Sequence, residues 1–183
     1  MSVAATTRRQ ALGGAVALGA AALAGAPRAH AQDDDDATAL ATVIALQQQA
    51  LVTYEALESG DLLDAGAQAL ARAFAGHERD QLAALAEALE ELGGGDPPEP
   101  PSPESVDGLG RLRSQGRALE FAIELETRAV AACYDAAGQL DDTGALLAVA
   151  GVMAADAQHL VLLRQAAGDP PLPEAFVTGA PVG

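Results

Sequence analysis

Gly93-Gly94-Gly95-Asp96-Pro97-Pro98-Glu99-Pro100-Pro101-Ser102-Pro103 is the stretch on which the architecture turns. Proline fixes φ and donates no N–H, so this segment cannot be helix and is stiffened towards polyproline II. About a dozen such residues at roughly 3.1 Å each reach about 37 Å, close to the length of a helix of about 28 residues. The segment can therefore run from one end of a helical layer to the other. A loose bulge between ordinary up-and-down helices is the alternative.

Working outward, both flanks carry helical periodicity: residues 38–58 and 62–92 before the stretch, 106–138 and 143–167 after it. Ser59-Gly60-Asp61 joins the first pair and a few residues around Gly138 to Asp142 join the second. Connections this short force antiparallel neighbours. Asp169-Pro170-Pro171-Leu172-Pro173 ends the last helix after Gly168, and Phe176 is expected to fold back as a small apolar anchor. The fold class read from this pattern is all-α: a four-helix bundle of two antiparallel hairpins joined by a long Gly/Pro-rich crossover, with residues 38–177 as the domain and 178–183 as a tail.

The composition agrees. The chain has 183 residues, half of them hydrophobic and only five aromatic, which suits one helical domain. All ten basic residues are arginine and stand against 26 acidic ones, a net charge of −16. With no basic cluster, such a chain repels nucleic acid and anionic lipid, and both are set aside as partners. Residues 1–31 read as an export signal: Arg8-Arg9, a weakly apolar run from Ala11 to Ala26, and Ala29-His30-Ala31 as a small-residue cleavage site. The run is too short and too mild for a comfortable membrane span. The paired arginines resemble a twin-arginine signal, with an ordinary secretory leader as the alternative. Cleavage after Ala31 would leave seven arginines against 26 acids, and would place the protein in the periplasm, at the cell wall or outside the cell. Residues 32–37, with Asp33 to Asp36, are then expected to be a solvated, disordered spacer. Gln32, not Cys, stands directly after the cleavage site, which argues against a lipoprotein anchor. The lone Cys133 can form no internal disulfide and reads as a small buried hydrophobe.

Helical wheels at 100° per residue show apolar stripes interrupted at mid-length. The first helix buries Leu40, Val43, Ile44, Leu51, Tyr54 and Leu57, with Gln47 near the centre of the face. The second presents Leu70, Phe74, Leu82, Leu85, Leu89 and Leu92, with Glu78 and Gln81 inside. Glu126 sits in the middle of the third stripe, between Ile123 and Val130. Asp156 and His159 share the fourth with Val149, Val152, Met153, Leu160 and Leu163. Four breaks at comparable heights point to a shared interior site.

This order of residues resembles the ferritin-like four-helix bundle, whose di-metal carboxylate site takes one Glu from each of two helices and a Glu-x-x-His pair from each of the other two. More closely, the chain is similar to exported ferritin-like domain proteins, which share the ending His159, Leu163, Gly168, Pro171-Leu172-Pro173 and Ala175-Phe176. The resemblance implies metal positions at Gln47, Glu78, Gln81, Glu126, Asp156 and His159. It expects Glu at 47, His at 81 and Glu at 156, so the half built on Gln47 and Gln81 has lost a charge and an imidazole. The half built on Glu78, Glu126, Asp156 and His159 survives, a set suited to one Fe(II) or Mn(II) ion rather than a pair. A competing register, repeating the second hairpin on the first with an offset of 79 residues, sets His77 and Asp80 opposite Asp156 and His159. On the wheel Asp80 lies about 140° from the apolar centre, and His77, near the edge, is kept as an outer candidate.

Burying three carboxylates with no Arg on their face demands relief by a metal ion, by water in a polar cavity, or by protonation. Two functions follow as expectations. One is an exported metal-binding protein, with redox chemistry on O₂ or peroxide as its active form and Tyr54 or Tyr134 nearby. The other is a non-catalytic structural, stress-related or partner-binding bundle with a vestigial site. Hydrolysis finds no support, since Cys133 has no His at readable spacing and no Gly-x-Ser-x-Gly elbow occurs. Nothing argues for a storage cage.

Overall fold

A computed structural model describes residues 26–175 and 177–179. Arg8, Arg9, most of the apolar run expected of an export signal, and Phe176 lie outside the described residues. The chain forms four helices: α1 (Ala26–Ser59), α2 (Ala65–Glu91), α3 (Gln115–Ala137) and α4 (Thr143–Ala167). No strand occurs among the described residues.

Three of the helix starts are capped by their own sequence. Asp64, Ser114 and Asp142 accept hydrogen bonds from the N–H groups of Ala67, Arg117 and Ala145, filling donors that a helix terminus leaves open. The Ser114 cap explains a departure from the expected third helix, which begins at 115 instead of 106. Residues 103–105 and 109–111 form two short 3-10 turns, and Gly108, with φ of 92°, takes a left-handed conformation that no helix continues through. Gly168, with φ of 86°, closes α4 in the same way.

A second departure lies at the start of α1. Asp33 to Asp36, expected as a disordered spacer, are helical. Asp36 is buried because its carboxylate accepts hydrogen bonds from the N–H groups of Asp141 and Asp142 at the start of α4. A negative charge is favoured at that positive helix end.

The crossover traverses the bundle as its stiffness allows. Gly94 lies against Ala37 at one end, the Gln48 amide donates to the Pro98 carbonyl on the way, and Gln115 exchanges two hydrogen bonds with Asp64 at the other end. At Gly94 a Cβ would approach Leu89 Cδ1 to 2.4 Å and Ala37 Cβ to 2.9 Å, so any larger residue would require these packed side chains to shift. Helix α1 packs on α2 and α3, and α4 on α3 and α2, which leaves α1 and α4 across a diagonal. The core falls into two apolar clusters. Leu40, Val43, Ile44, Leu85, Leu89 and Val149 fill one, and Tyr54, Leu57, Phe74, Leu119, Leu125 and Leu163 the other. Between them lies a layer of buried polar side chains.

Candidate metal centre

Every helix feeds that layer. Gln47 comes from α1, Glu78 from α2, Glu126 from α3, and Asp156 and His159, one turn apart, from α4; all five are at most 2% exposed. Each sits at the centre of an apolar stripe, so helix packing drives it inward regardless of its polarity. One ligand atom from each of Glu78, Glu126, Asp156 and His159 lies within 4.8 Å of the others, an arrangement that could hold a metal ion.

The hydrogen bonds divide the carboxylate oxygens into held and free. Tyr54 donates its hydroxyl to Glu126 Oε1, and His159 Nδ1 lies 3.1 Å from the same oxygen. Gln47 donates to Asp156 Oδ2 at 2.8 Å. Glu126 Oε2, Asp156 Oδ1 and both oxygens of Glu78 are buried without any partner. Unpaired buried oxygens cost several kcal/mol each if charged, and here they share one small space. Burial, reinforced by the charges of Glu126 and Asp156, pushes the Glu78 carboxyl up to about 10. Burial and Glu126 raise Asp156 to about 7, against the opposing pull of Gln47 and His159. Burial also raises Tyr54, helped by Glu126, so its proton stays on the phenol and available to donate. The Cys133 thiol is raised by burial and then by the three carboxyl groups, which keeps it protonated.

His159 is held through its ring and through both nitrogens. Its ring stacks on Phe74 with centroids 4.0 Å apart, and Tyr54 meets it edge-on. Nδ1 faces the carboxyl groups, 3.5 Å from Glu78 Oε1. Nε2 lies 3.0 Å from Nδ1 of His77. The two imidazoles are inclined by only 14° with centroids 5.3 Å apart, the spacing of rings joined edge to edge by a hydrogen bond.

The expected positions separate accordingly. Glu78, Glu126, Asp156 and His159 come together. Gln47 and the half-buried Gln81 stand beside them, bonded to each other from Gln47 Nε2 to Gln81 Oε1 at 3.1 Å. His77 is an outer partner of His159 with an exposed ring, and Asp80 is exposed. Tyr134, weighed as a neighbour of the site, is 54% exposed. The hydroxyl of Tyr54 is the functional contact that the wheel leaves undecided: its position predicts burial but not that it reaches a carboxylate 72 residues away.

A polar layer of Glu, Glu, Asp and His in a four-helix bundle with a long crossover is the arrangement expected from the family resemblance. Comparison with curated proteins and with solved structures finds no match. The model of the ferritin-like domain, however, matches residues 29–169. By that match, over most of its length, the chain belongs to the ferritin-like domain family.

Proposed function

We propose that this is an exported ferritin-like domain protein that binds a single Fe(II) or Mn(II) ion through Glu78, Glu126, Asp156 and His159. The observation that carries it is the clustering of one ligand atom from each of Glu78, Glu126, Asp156 and His159 within 4.8 Å of one another, in a buried layer where four carboxylate oxygens have no hydrogen-bond partner. Three carboxyl groups and one imidazole suit a hard to borderline divalent cation. A bound cation would supply positive charge to the layer, where among the described residues no Arg forms an ion pair with these groups.

The chain's own groups divide the work. Tyr54 and Gln47 each hold one oxygen of Glu126 and Asp156 and leave the other to bind. Phe74 and His77 set the plane of His159 and the nitrogen it offers. Glu78, with both oxygens free, is the ligand able to exchange a proton for a cation. Fe or Mn in such surroundings supplies one-electron chemistry towards O₂ or peroxide; fold membership assigns no reaction.

Arg8-Arg9 and Ala29-His30-Ala31 support export. Cleavage after Ala31 would bring Asp33 to Asp36 to the first turns of α1, where acidic groups suit the helix dipole. The test is elemental mass spectrometry on protein exported from a host with a twin-arginine pathway, purified without oxygen and loaded with Fe(II) or Mn(II). One ion per chain, lost in His159→Ala and in Glu126→Ala, is expected. No metal in the wild type, or binding indifferent to both substitutions, overturns the assignment. Lys-Lys in place of Arg8-Arg9 is expected to stop export.

A further inference from the structure

We infer that Gln47 is a positioning residue whose amide bridge to Asp156 and Gln81 excludes a second ion from the centre. The inference rests on the single-ion reading and adds what limits the number. Gln47 is fully buried, and both of its amide hydrogens are committed. One goes to Asp156 Oδ2 on α4 and the other to Gln81 Oε1 on α2. An amide nitrogen has no lone pair to offer a metal, and the one oxygen the bridge leaves open, Gln47 Oε1, is an uncharged carbonyl, so the corner between α1, α2 and α4 sets N–H groups and a neutral oxygen where a second cation would need a carboxylate or an imidazole. Gln81 reinforces this, because its oxygen is taken and its buried Nε2 is again a donor.

Two consequences follow. Asp156 Oδ2 is engaged by the amide and Oδ1 is its one unpartnered oxygen, so Asp156 serves one ion readily, and bridging two would compete with the hydrogen bond from Gln47. Charge sets the same limit. Three carboxyl groups more than balance one divalent ion, whereas two such ions would leave a net positive layer between two apolar clusters, with no further anion to offset it.

The test converts the bridge into ligands. Gln47→Glu with Gln81→His adds one carboxylate and one imidazole at the positions the amides now hold. Mn(II) is counted per chain on the full exported protein, and electron paramagnetic resonance distinguishes an isolated ion from a spin-coupled pair. One isolated ion in the wild type and two coupled ions in the double variant are expected. A double variant that binds no more ions than the wild type overturns the inference. A wild type with none and a double variant with two overturns the single-ion reading and upholds the exclusion. Should the double variant fail to fold even with Mn(II), Gln47→Leu decides. It removes the bridge without adding a ligand, and is expected to keep one ion at roughly tenfold weaker affinity; wild-type affinity there overturns the positioning role.

Discussion

The two hairpins place side chains at the same height in the bundle and put them to different use. The α3–α4 hairpin contributes Glu126, Asp156 and His159, three of the four groups that converge. The α1–α2 hairpin contributes Glu78 alone to that set and fills the rest of its share with Gln47 and Gln81, which hydrogen-bond to each other. Burial does not distinguish the hairpins, since Gln47 is as inaccessible as Glu126. What differs is the chemistry of the buried polar atoms that each hairpin leaves open. On α3 and α4 the open atoms are carboxylate oxygens, Glu126 Oε2 and Asp156 Oδ1, whereas Gln47 and Gln81 leave open only a neutral amide oxygen and an amide nitrogen. A ligand site in a bundle core is thus defined by which unspent atoms can carry negative charge or a lone pair to a cation, more than by polarity alone.

Single substitutions on either side test this contrast most severely. Glu126→Ala or His159→Ala should lower Mn(II) affinity by at least a hundredfold, because each removes a ligand that nothing nearby replaces. Gln81→Ala should change it by less than tenfold, since Gln81 offers the centre no free ligand oxygen, its Oε1 being held by Gln47. Calorimetric titration of the exported protein reads both. Equal losses from the two hairpins would abolish the distinction.

The pH dependence of the metal-free protein comes next in size. Glu78 is held at about 10 in the fold against an ordinary value of 4.5, and Asp156 at about 7 against 3.8. Both therefore bind protons more tightly folded than unfolded, and the stability linked to them is full below pH 4 and falls as pH rises through 7 towards 10. The metal-free protein should lose thermal stability steadily between pH 5 and 9. Glu78→Gln should flatten that slope, by an amount on the order of a few kcal/mol across the window. Repulsion among the many surface carboxylates acts in the same direction, but it is screened by salt and common to both proteins. Saturating Mn(II) should remove most of the slope from the wild type, since the cation competes with the protons for the same oxygens. An unchanged slope in Glu78→Gln would mean that the buried carboxyl groups carry no linked proton.

How these groups would meet was largely legible in the sequence, because period 3.6 decides which side of a helix faces inward. The wheel placed Glu78 inside and Asp80 outside, against the register that a 79-residue repeat suggests. The structure agrees, with Glu78 buried and Asp80 exposed. Periodicity is blind to features decided by a partner far along the chain. Asp36 belongs to an acidic run that reads as solvated, and only the arrival of α4 gives its carboxylate two N–H groups to accept from. Leu109 and Leu112 continue the apolar spacing of α3 backwards, yet the Ser114 cap ends the helix before them and Leu109 falls in a separate 3-10 turn. Tyr54 reads as core because it is core, packed edge-on against Phe74; its second role depends on where its hydroxyl ends.

Tyr54→Phe isolates that second role. The ring and its packing remain, the hydroxyl does not, and Glu126 Oε1 loses a donor in a dry site. Hydrogen bonds to charged groups contribute about 1.5–3 kcal/mol, so Mn(II) affinity should fall roughly tenfold to a hundredfold with the stoichiometry unchanged. Affinity within twofold of the wild type would show that Glu126 needs no positioning.

His77→Ala should have the smallest effect, although His77 contacts a ligand as directly as Tyr54 does. The difference is solvent. Tyr54 is 1% exposed, so nothing replaces its hydroxyl once it is gone. His77 is exposed, and a water molecule can take over its hydrogen bond to His159 Nε2 at little cost. Phe74 still stacks on the imidazole and keeps its plane. Stoichiometry should stay at one ion, with affinity within roughly threefold of the wild type. A loss as large as that in Tyr54→Phe would show that the exposed imidazole itself, and not merely a hydrogen-bond partner, fixes His159. The boundary of the centre would then extend to the surface of α2.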